Sequence, residues 1–382
     1  MIKPGILILS PFFRPNVGGV ETHLDDLCEY LRIHNYKVYV LTYQPLTTKA
    51  KGLKLENNDN LEIRRIWWPG FNLFHKLEPY PILEVLYITP RLFWATLYFL
   101  LFHKNKIDVI HAHGFNASLI TRLVNVFFRK TTVMSTHAIY DLKKKPLIAK
   151  VIKWIMDGID TIMPLAEESK RDLMAAGVPE GKIKIYTQWV DQSLFKPRDK
   201  IESRRKLGLN GDFFVLFIGR LIEKKGARVL LEVAVKLPEI KFVFVGDGPM
   251  LNDLLLAQKK LNNIFVVGRK TKEETAIYYG ATDIVVVPSQ YKEGFARVVL
   301  EALSSGRPVV ASNKGCLPEM ITSEVGILLD PTADNITEAL KSLYNNSKTI
   351  ERLTDNARPY ALKHFSEKNA DKIAETYFSK HR

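Results

Sequence analysis

Two carboxylates, Glu293 and Glu301, lie eight positions apart in the stretch YKEGFARVVLEALSSGRP at residues 291–308. An apolar run, DIVVVP at residues 283–288, comes just before, so the segment reads as strand, loop and helix. A helix opening here turns its free N–H groups and positive dipole end back into the loop, where an anion can sit. Glu293 is then expected in the loop and Glu301 about two turns into the helix, at about 3.6 residues per turn. One carboxylate can take hydroxyls at one end of a ligand and the other can take hydroxyls at the far end. The amides of Gly294, Phe295, Ala296 and Arg297 between them can hold phosphate. A nucleotide sugar has that layout: sugar, diphosphate, ribose. Two glutamates at this spacing on their own would mean no more than a solvated helix, so the surroundings decide.

Those surroundings, PSQYKEGFARVVLEALSSGRPVVAS at residues 288–312, resemble the retaining glycosyltransferases of family 4. The family signature is usually PSxxEGFGxxxLEAMAxGxPVVAS, and the match is ungapped apart from one residue in the variable part. The resemblance covers nearly the whole chain, tightest over residues 213–330 and loosest over 43–106. It implies a GT-B fold, α/β, with two Rossmann-like parallel-sheet domains facing across a cleft. It also implies transfer from a UDP- or GDP-sugar to a glycan or glycolipid acceptor, in cell-surface polysaccharide or glycolipid synthesis, with no metal and no other cofactor. The chain departs at Ala296, where the family prefers Gly, and Arg297 adds a charge beside the phosphate-holding turn. Alanine is small enough to keep the backbone close to a ligand.

A second element, FIGRLIEKKG at residues 217–226, leaves an apolar strand. Gly219 lets the chain turn, and Arg220 and Lys225 then lie in the loop above the sheet. Two cations near a helix start can neutralise the charge that grows on a departing diphosphate. The competing reading is a solvated basic loop, but the family has an Arg and a Lys in a matching GRL…KG string; Lys224 reads as solvent-facing. In NVGGVETH, residues 16–23, the Gly18–Gly19 pair opens a helix and exposes amides to an anion. The resemblance sets these glycines close to the donor diphosphate and the acceptor, and leaves Glu21 and His23 as helix-start and packing residues.

Three histidines stand near the ends of apolar strands: His111, His113 and His137. The first two, two apart on a strand, share a face. A three-imidazole metal site is one reading, which would make the protein a metal-dependent hydrolase. The resemblance instead sets His137, in Ser135-Thr136-His137, at the reacting sugar or acceptor; His113 reads as acceptor-binding beside it, and His111 as a satisfied core histidine. No Asp-x-Asp pair occurs, in keeping with charge neutralisation by Arg220, Lys225 and helix N-termini. VFVGDGP, residues 243–249, lacks a GxGxxG or P-loop pattern and reads as structural. TQWVD, residues 187–191, stands where the family usually has PNGVD, so Trp189 is expected to reshape a pocket.

Positioning these residues takes two α/β series. Strands are expected at residues 6–9, 37–41, 63–67, 109–113, 131–135 and 161–164, then at 213–218, 241–245, 264–267, 284–287 and 309–311. A length of 382 residues suits two domains: 1–185 with a last helix in 365–382, and 186–364. The net charge of +14 favours anionic partners, nucleotide diphosphates, acidic lipid headgroups or nucleic acid, of which the first two are expected here and nucleic acid is not. Two distant cysteines, Cys28 and Cys316, make neither a disulfide framework nor a metal cluster, which suits a cytoplasmic setting. The run ILIL at residues 6–9 is too short for a secretory signal. Residues 80–102 are apolar but broken by Pro81, Glu84, Pro90 and Arg91, and read as one or two helices packed on a core or dipping into an interface. Lys143–Lys145 precede an apolar stripe of Leu147, Ile148, Val151, Ile152 and Ile155, which can lie on anionic lipid or pack inward. With Trp67, Trp68, Phe71, Phe74 and Tyr80, this points to a membrane-linked acceptor and peripheral attachment to the inner face of the cell membrane. A non-catalytic nucleotide- or lipid-binding protein is the remaining alternative.

Overall fold

Short runs of Val, Ile, Leu and Phe, buried along their whole length, alternate with helical stretches; strands of this kind belong to parallel sheets covered on both faces. The computed structural model describes residues 3–16, 18–77, 79–137 and 146–378. The chain divides into two compact units, Met1–Gln188 with Glu367–Arg382, and Trp189–Ser366.

The first unit holds strands β1 Gly5–Leu9, β2 Lys37–Tyr43, β3 Leu55–Asn58, β4 Leu61–Ile66, β5 Val109–His113, β6 Thr131–Ser135 and β7 Thr161–Met163. They form one seven-stranded sheet in the order β3-β4-β2-β1-β5-β6-β7, parallel except where β3 pairs with β4. Its helices are α1 Gly19–Ile33, α2 Leu73–Leu77, α3 Pro81–His103, α4 Phe115–Phe128, α5 Pro146–Asp157 and α6 Glu167–Ala175. Leu7, Leu9, Ile110 and Ala112 of the sheet pack with Leu92, Leu100, Ile120 and Val124 of α3 and α4.

The second unit holds β8 Phe214–Ile218, β9 Lys241–Val245, β10 Ile264–Gly268, β11 Ile284–Val287, β12 Val309–Ser312 and β13 Gly326–Leu329. All are parallel, in the order β10-β9-β8-β11-β12-β13. The helices are α7 Lys200–Leu207, α8 Ala227–Lys236, α9 Leu251–Gln258, α10 Lys272–Ala281, α11 Arg297–Ser304, α12 Leu317–Met320, α13 Ala333–Asn345 and α14 Ser347–His364. A last helix, α15 Asn369–Thr376, returns to the first unit and packs on α1. In each unit the strand order reverses beside the first strand, at β1 and at β8. Ligands of open α/β sheets bind outside the carboxyl ends of strands at such a reversal.

One expectation needs correction, and two others are narrowed. Two strands stand beyond the expected set: β3, whose LENN sequence is largely exposed, and β13, a four-residue edge strand. The stretch 80–102, expected as one or two helices, runs through Pro90. It is one helix, held through the proline because Ile88, Leu92, Phe99 and Leu100 are buried against the sheet. By length and composition Ile82–Lys106 could cross a membrane, and 33% of its most apolar window is buried in the protein. The aromatic cluster also divides. Trp68 stacks on Tyr43 and Phe74 meets Phe12 edge-on, whereas Trp67, Phe71 and Tyr80 are exposed. Lys143–Lys145 lie outside the described residues.

Candidate functional site

In the second unit the loops leaving β8 and β11 meet. Gly226 caps α8 at φ 82°, and a Cβ there would sit 2.1 Å from the Pro288 carbonyl oxygen. Only glycine lets the β8 turn lie against the end of β11. Gly315, at φ 64°, does the same for Glu293, whose carbonyl oxygen would be 2.4 Å from a Cβ. The Gln290 amide donates to the Lys224 carbonyl at 2.8 Å and the Cys316 amide to that of Glu293 at 3.0 Å. Glu293 is thus held by its backbone from the far side while its side chain faces Lys225.

The Glu293 carboxylate is 3% exposed and accepts four hydrogen bonds. Lys225 Nζ reaches Oε1 at 2.6 Å and Oε2 at 2.8 Å, Ser289 Oγ donates to Oε1, and Tyr291 Oη donates to Oε2 at 2.9 Å. Burial and the neighbouring carboxylate push the Tyr291 hydroxyl well above its usual range, so it stays a donor. A carboxylate offers about four lone-pair sites, so Glu293 is saturated. Arg220, on the same β8 loop, is exposed, and its side chain makes no hydrogen bond or ion pair among the described residues. Its turn is held by the Leu221 amide on the Asp247 carbonyl, 2.9 Å, and a Cβ on Gly246 would stand 1.9 Å from the Gly219 oxygen. The 243–249 string therefore supports the turn, a structural role.

Helix α11 begins at Arg297, so Glu301 lies just over one turn into it rather than two; Gly294, Phe295 and Ala296 stay in the loop. Tyr279 Oη donates to Glu301 Oε2 at 2.9 Å. Arg297, the charge expected beside the phosphate-holding turn, is the first residue of the helix. It is buried and donates from Nη1 to the Trp189 carbonyl at 3.2 Å. Trp189 is itself buried, so the added charge at 297 touches the departure from the family string at 187–191.

In the first unit, Gly18 and Gly19 stand at the start of α1 after β1, while β5 and β6 carry the histidines to the same end of the sheet. His113 Nδ1 and His137 Nε2 are 3.1 Å apart with their rings stacked. His113 Nε2 and His137 Nδ1 have no partner among the described residues. His111 has both nitrogens engaged, Nδ1 with Tyr377 Oη at 2.8 Å and Nε2 with Ser135 Oγ at 2.9 Å. That removes it from a three-imidazole metal site, and no group of three His, Cys, Asp or Glu among the described residues is placed to hold a metal ion. Burial lowers the pKa of His137 to about 4 and of His111 to about 3, and holds His113 well below its usual range. All three are neutral at pH 7. His23, read from sequence as a packing residue, joins this group, with ring centroids 5.8 Å from His137 and 6.3 Å from His113. The available signal was its position just over one turn into α1, four residues past Gly19.

Comparison with known proteins gives one answer for both units. Glycosyltransferase Family 4 matches residues 17–194 and Glycosyl transferases group 1 matches residues 199–360. Sulfoquinovosyl transferase SQD2 of Arabidopsis thaliana is 30% identical over 277 residues, 66% of this chain and 53% of that protein. The match thus spans about half of that relative's length. A phosphatidylinositol N-acetylglucosaminyltransferase polypeptide of Arabidopsis thaliana is 25% identical over 91% of this chain and 76% of its own. Sucrose-phosphate synthase from Thermosynechococcus elongatus superposes with a TM-score of 0.84 at 20% identity, covering 99% of each chain. Anabaena HepE, solved with UDP and glucose, gives 0.79 at 21% identity over 98% of this chain and 100% of its own. The chain belongs to the family 4, group 1 glycosyltransferases and carries their GT-B fold, with two parallel-sheet Rossmann-like domains.

Proposed function

We propose that this glycosyltransferase moves a sugar from a nucleotide diphosphate sugar to a glycan or glycolipid acceptor, with retention of anomeric configuration and without a metal ion. The observation that carries the reading is the saturated Glu293 carboxylate gripped by Lys225 beside an unengaged Arg220. In this reading Glu293 takes sugar hydroxyls, Arg220 and Lys225 take the diphosphate with the amides of residues 294–297, and Glu301 takes the ribose. Lys225 moves from carboxylate to phosphate as the donor arrives, which frees acceptor sites on Glu293 for the sugar. The two cations then neutralise the charge that grows on the leaving diphosphate. Without a carboxylate nucleophile on the acceptor side, a same-face displacement serves best, in which the leaving phosphate helps deprotonate the acceptor hydroxyl. Gly18 and Gly19 present amides to the diphosphate, while neutral His137 and His113, hydrogen-bonded to each other, offer the reacting sugar or the acceptor one outer ring nitrogen that donates and one that accepts.

HepE, solved with UDP and with UDP-glucose, and relatives named for transfer to phosphatidylinositol agree with such a donor and with a lipid-linked acceptor. The +14 charge supports peripheral attachment to the inner, anionic face of the cell membrane. Hydrolysis of a panel of UDP- and GDP-sugars without acceptor tests the reading. One donor is expected to turn over slowly, at a rate unchanged by chelation. A panel with neither binding nor turnover would favour a non-catalytic nucleotide- or lipid-binding protein.

A further inference from the structure

Helices α3, α4 and α5 lie side by side along the first unit. Their inner sides are buried, with Leu92 and Phe99 of α3, Ile120 and Val124 of α4, and Ile152 and Ile155 of α5. Their outer sides are apolar as well. Trp94, Tyr98 and Phe102 follow one another at four-residue spacing and so share a stripe of α3, with 63%, 65% and 68% of their surface exposed. Phe127 of α4 is 75% exposed, and Val151 and Trp154 of α5 are 50% and 47% exposed. Arg122 of α4 lays its guanidinium over the Trp154 ring at 4.4 Å and stitches α4 to α5. Single exposed apolar residues are ordinary, but a run of them across three adjoining helices marks an interaction surface.

We propose that this three-helix face is a platform that docks on an anionic lipid leaflet. The charge around it decides the occupant. Arg91, Lys104, Lys106, Arg129, Lys130 and Lys150 lie on these helices and the turns that follow α3 and α4. The three helices contain two carboxylates, and both are engaged: Asp157 with Lys153 at 2.7 Å, and Glu84 with Asn116 Nδ2 at 3.2 Å. A second copy docking through the same patch would set these cations against one another, because a twofold interface pairs a surface with itself. Anionic headgroups oppose them with the complementary sign. Tryptophan and tyrosine are also the residues that settle between headgroups and acyl chains. Helix α3 lies along the leaflet rather than through it, since Ile88, Leu92, Phe99 and Leu100 are 0–3% exposed and crossing would strip them from the sheet.

The inference deepens the peripheral-membrane part of the proposed function and rests on it for the acceptor's location. Its test is separate from that of the transferase. Full-length protein is co-sedimented with phosphatidylcholine vesicles and with vesicles containing about a third phosphatidylglycerol. Wild type is expected to bind the anionic vesicles at least tenfold more tightly, with binding weakened by salt. The W94S/F102S/F127S variant should lose that binding while donor hydrolysis in solution persists. Quenching of tryptophan emission by brominated phosphatidylglycerol supplies a readout that keeps the native fold, and the conservative W94F/W154F variant should lose much of it. Equal binding by wild type and the triple variant overturns the platform, as does no binding by wild type. A wild-type dimer converted to monomer by the triple variant assigns the face to a second copy and overturns it too. Resistance to alkaline carbonate extraction would mean that α3 spans, which also overturns it. Loss of donor hydrolysis in wild type strikes the transferase reading and leaves the docking result standing.

Discussion

At the residue scale, Arg220 and Lys225 carry the same charge on one loop, yet the structure gives them different work. Arg220 is exposed and unengaged, so Arg220→Ala should leave the melting temperature unchanged and lower kcat by about 100-fold, the loss typical of one removed donor to developing charge. Lys225→Ala removes the cation on a buried carboxylate. Because Ser289 and Tyr291 remain on Glu293, the stability cost should be modest, about 1–3 kcal/mol, alongside a similar fall in kcat. Thermal melts and initial rates on both variants separate the roles, and unchanged turnover in both would refute the diphosphate assignment. The buried histidines make a prediction about pH. Their folded pKa values lie below the unfolded value of about 6.5, so the unfolded chain takes up protons that the native state refuses. The sign follows: stability is full above about pH 6.5 and falls as pH drops toward 4, by up to about 1.4 kcal/mol per pH unit for each histidine. A His111→Asn variant should begin less stable at pH 7 and show a shallower acid limb in urea melts across that range.

At the element scale, the glycines at the strand ends set where the loops can go. Gly226→Ala and Gly315→Ala each force a Cβ onto backbone at about 2 Å and impose a left-handed φ on alanine, so both should lose several kcal/mol and displace Glu293. Asp283 anchors α7 to the sheet by taking Lys200 at 2.6 Å, Arg204 at 2.7 Å and the Phe214 amide at 2.7 Å. Asp283→Ala should cost about 3–5 kcal/mol, as expected when a buried pair loses one partner, which a guanidinium melt would read. The same elements show what was legible in the chain. Runs such as FVLFI and KFVFV announce themselves because a parallel strand is apolar on both faces. LENN does not, since an antiparallel edge strand has one wet side and an edge that no neighbour covers. Glu301 lies shallower in its helix than expected because a carboxylate spacing does not say where the first helical turn begins. The two glutamates and the two cations were singled out by the strings around them rather than by residue type, and the structure brings Lys225 onto Glu293. His23 was not, because only the fold brings α1 beside β5 and β6. Nor was the contact of Arg297 with Trp189, whose partner is a backbone carbonyl.

At the scale of the whole molecule, each unit has its own core, and the chain passes between them at 188–189 and again at 366–367. Residues 189–366 are continuous in sequence, so this fragment expressed alone should unfold in one cooperative transition, and a broad, non-cooperative melt would argue against its independence. The first unit is completed only by the segment after residue 366. Tyr30 is hydrogen-bonded to Asp371, and Tyr377, fully buried, supports His111. That last contact has a consequence for the order of events during synthesis. The ribosome delivers the β1–β7 segment first, yet its histidine-bearing interior lacks a hydroxyl that emerges 266 positions beyond His111. The second unit, begun later, is whole sooner. A released chain of residues 1–366 should therefore resist protease across 189–366 while 1–188 is still cut, and restoring the segment after 366 should close that window.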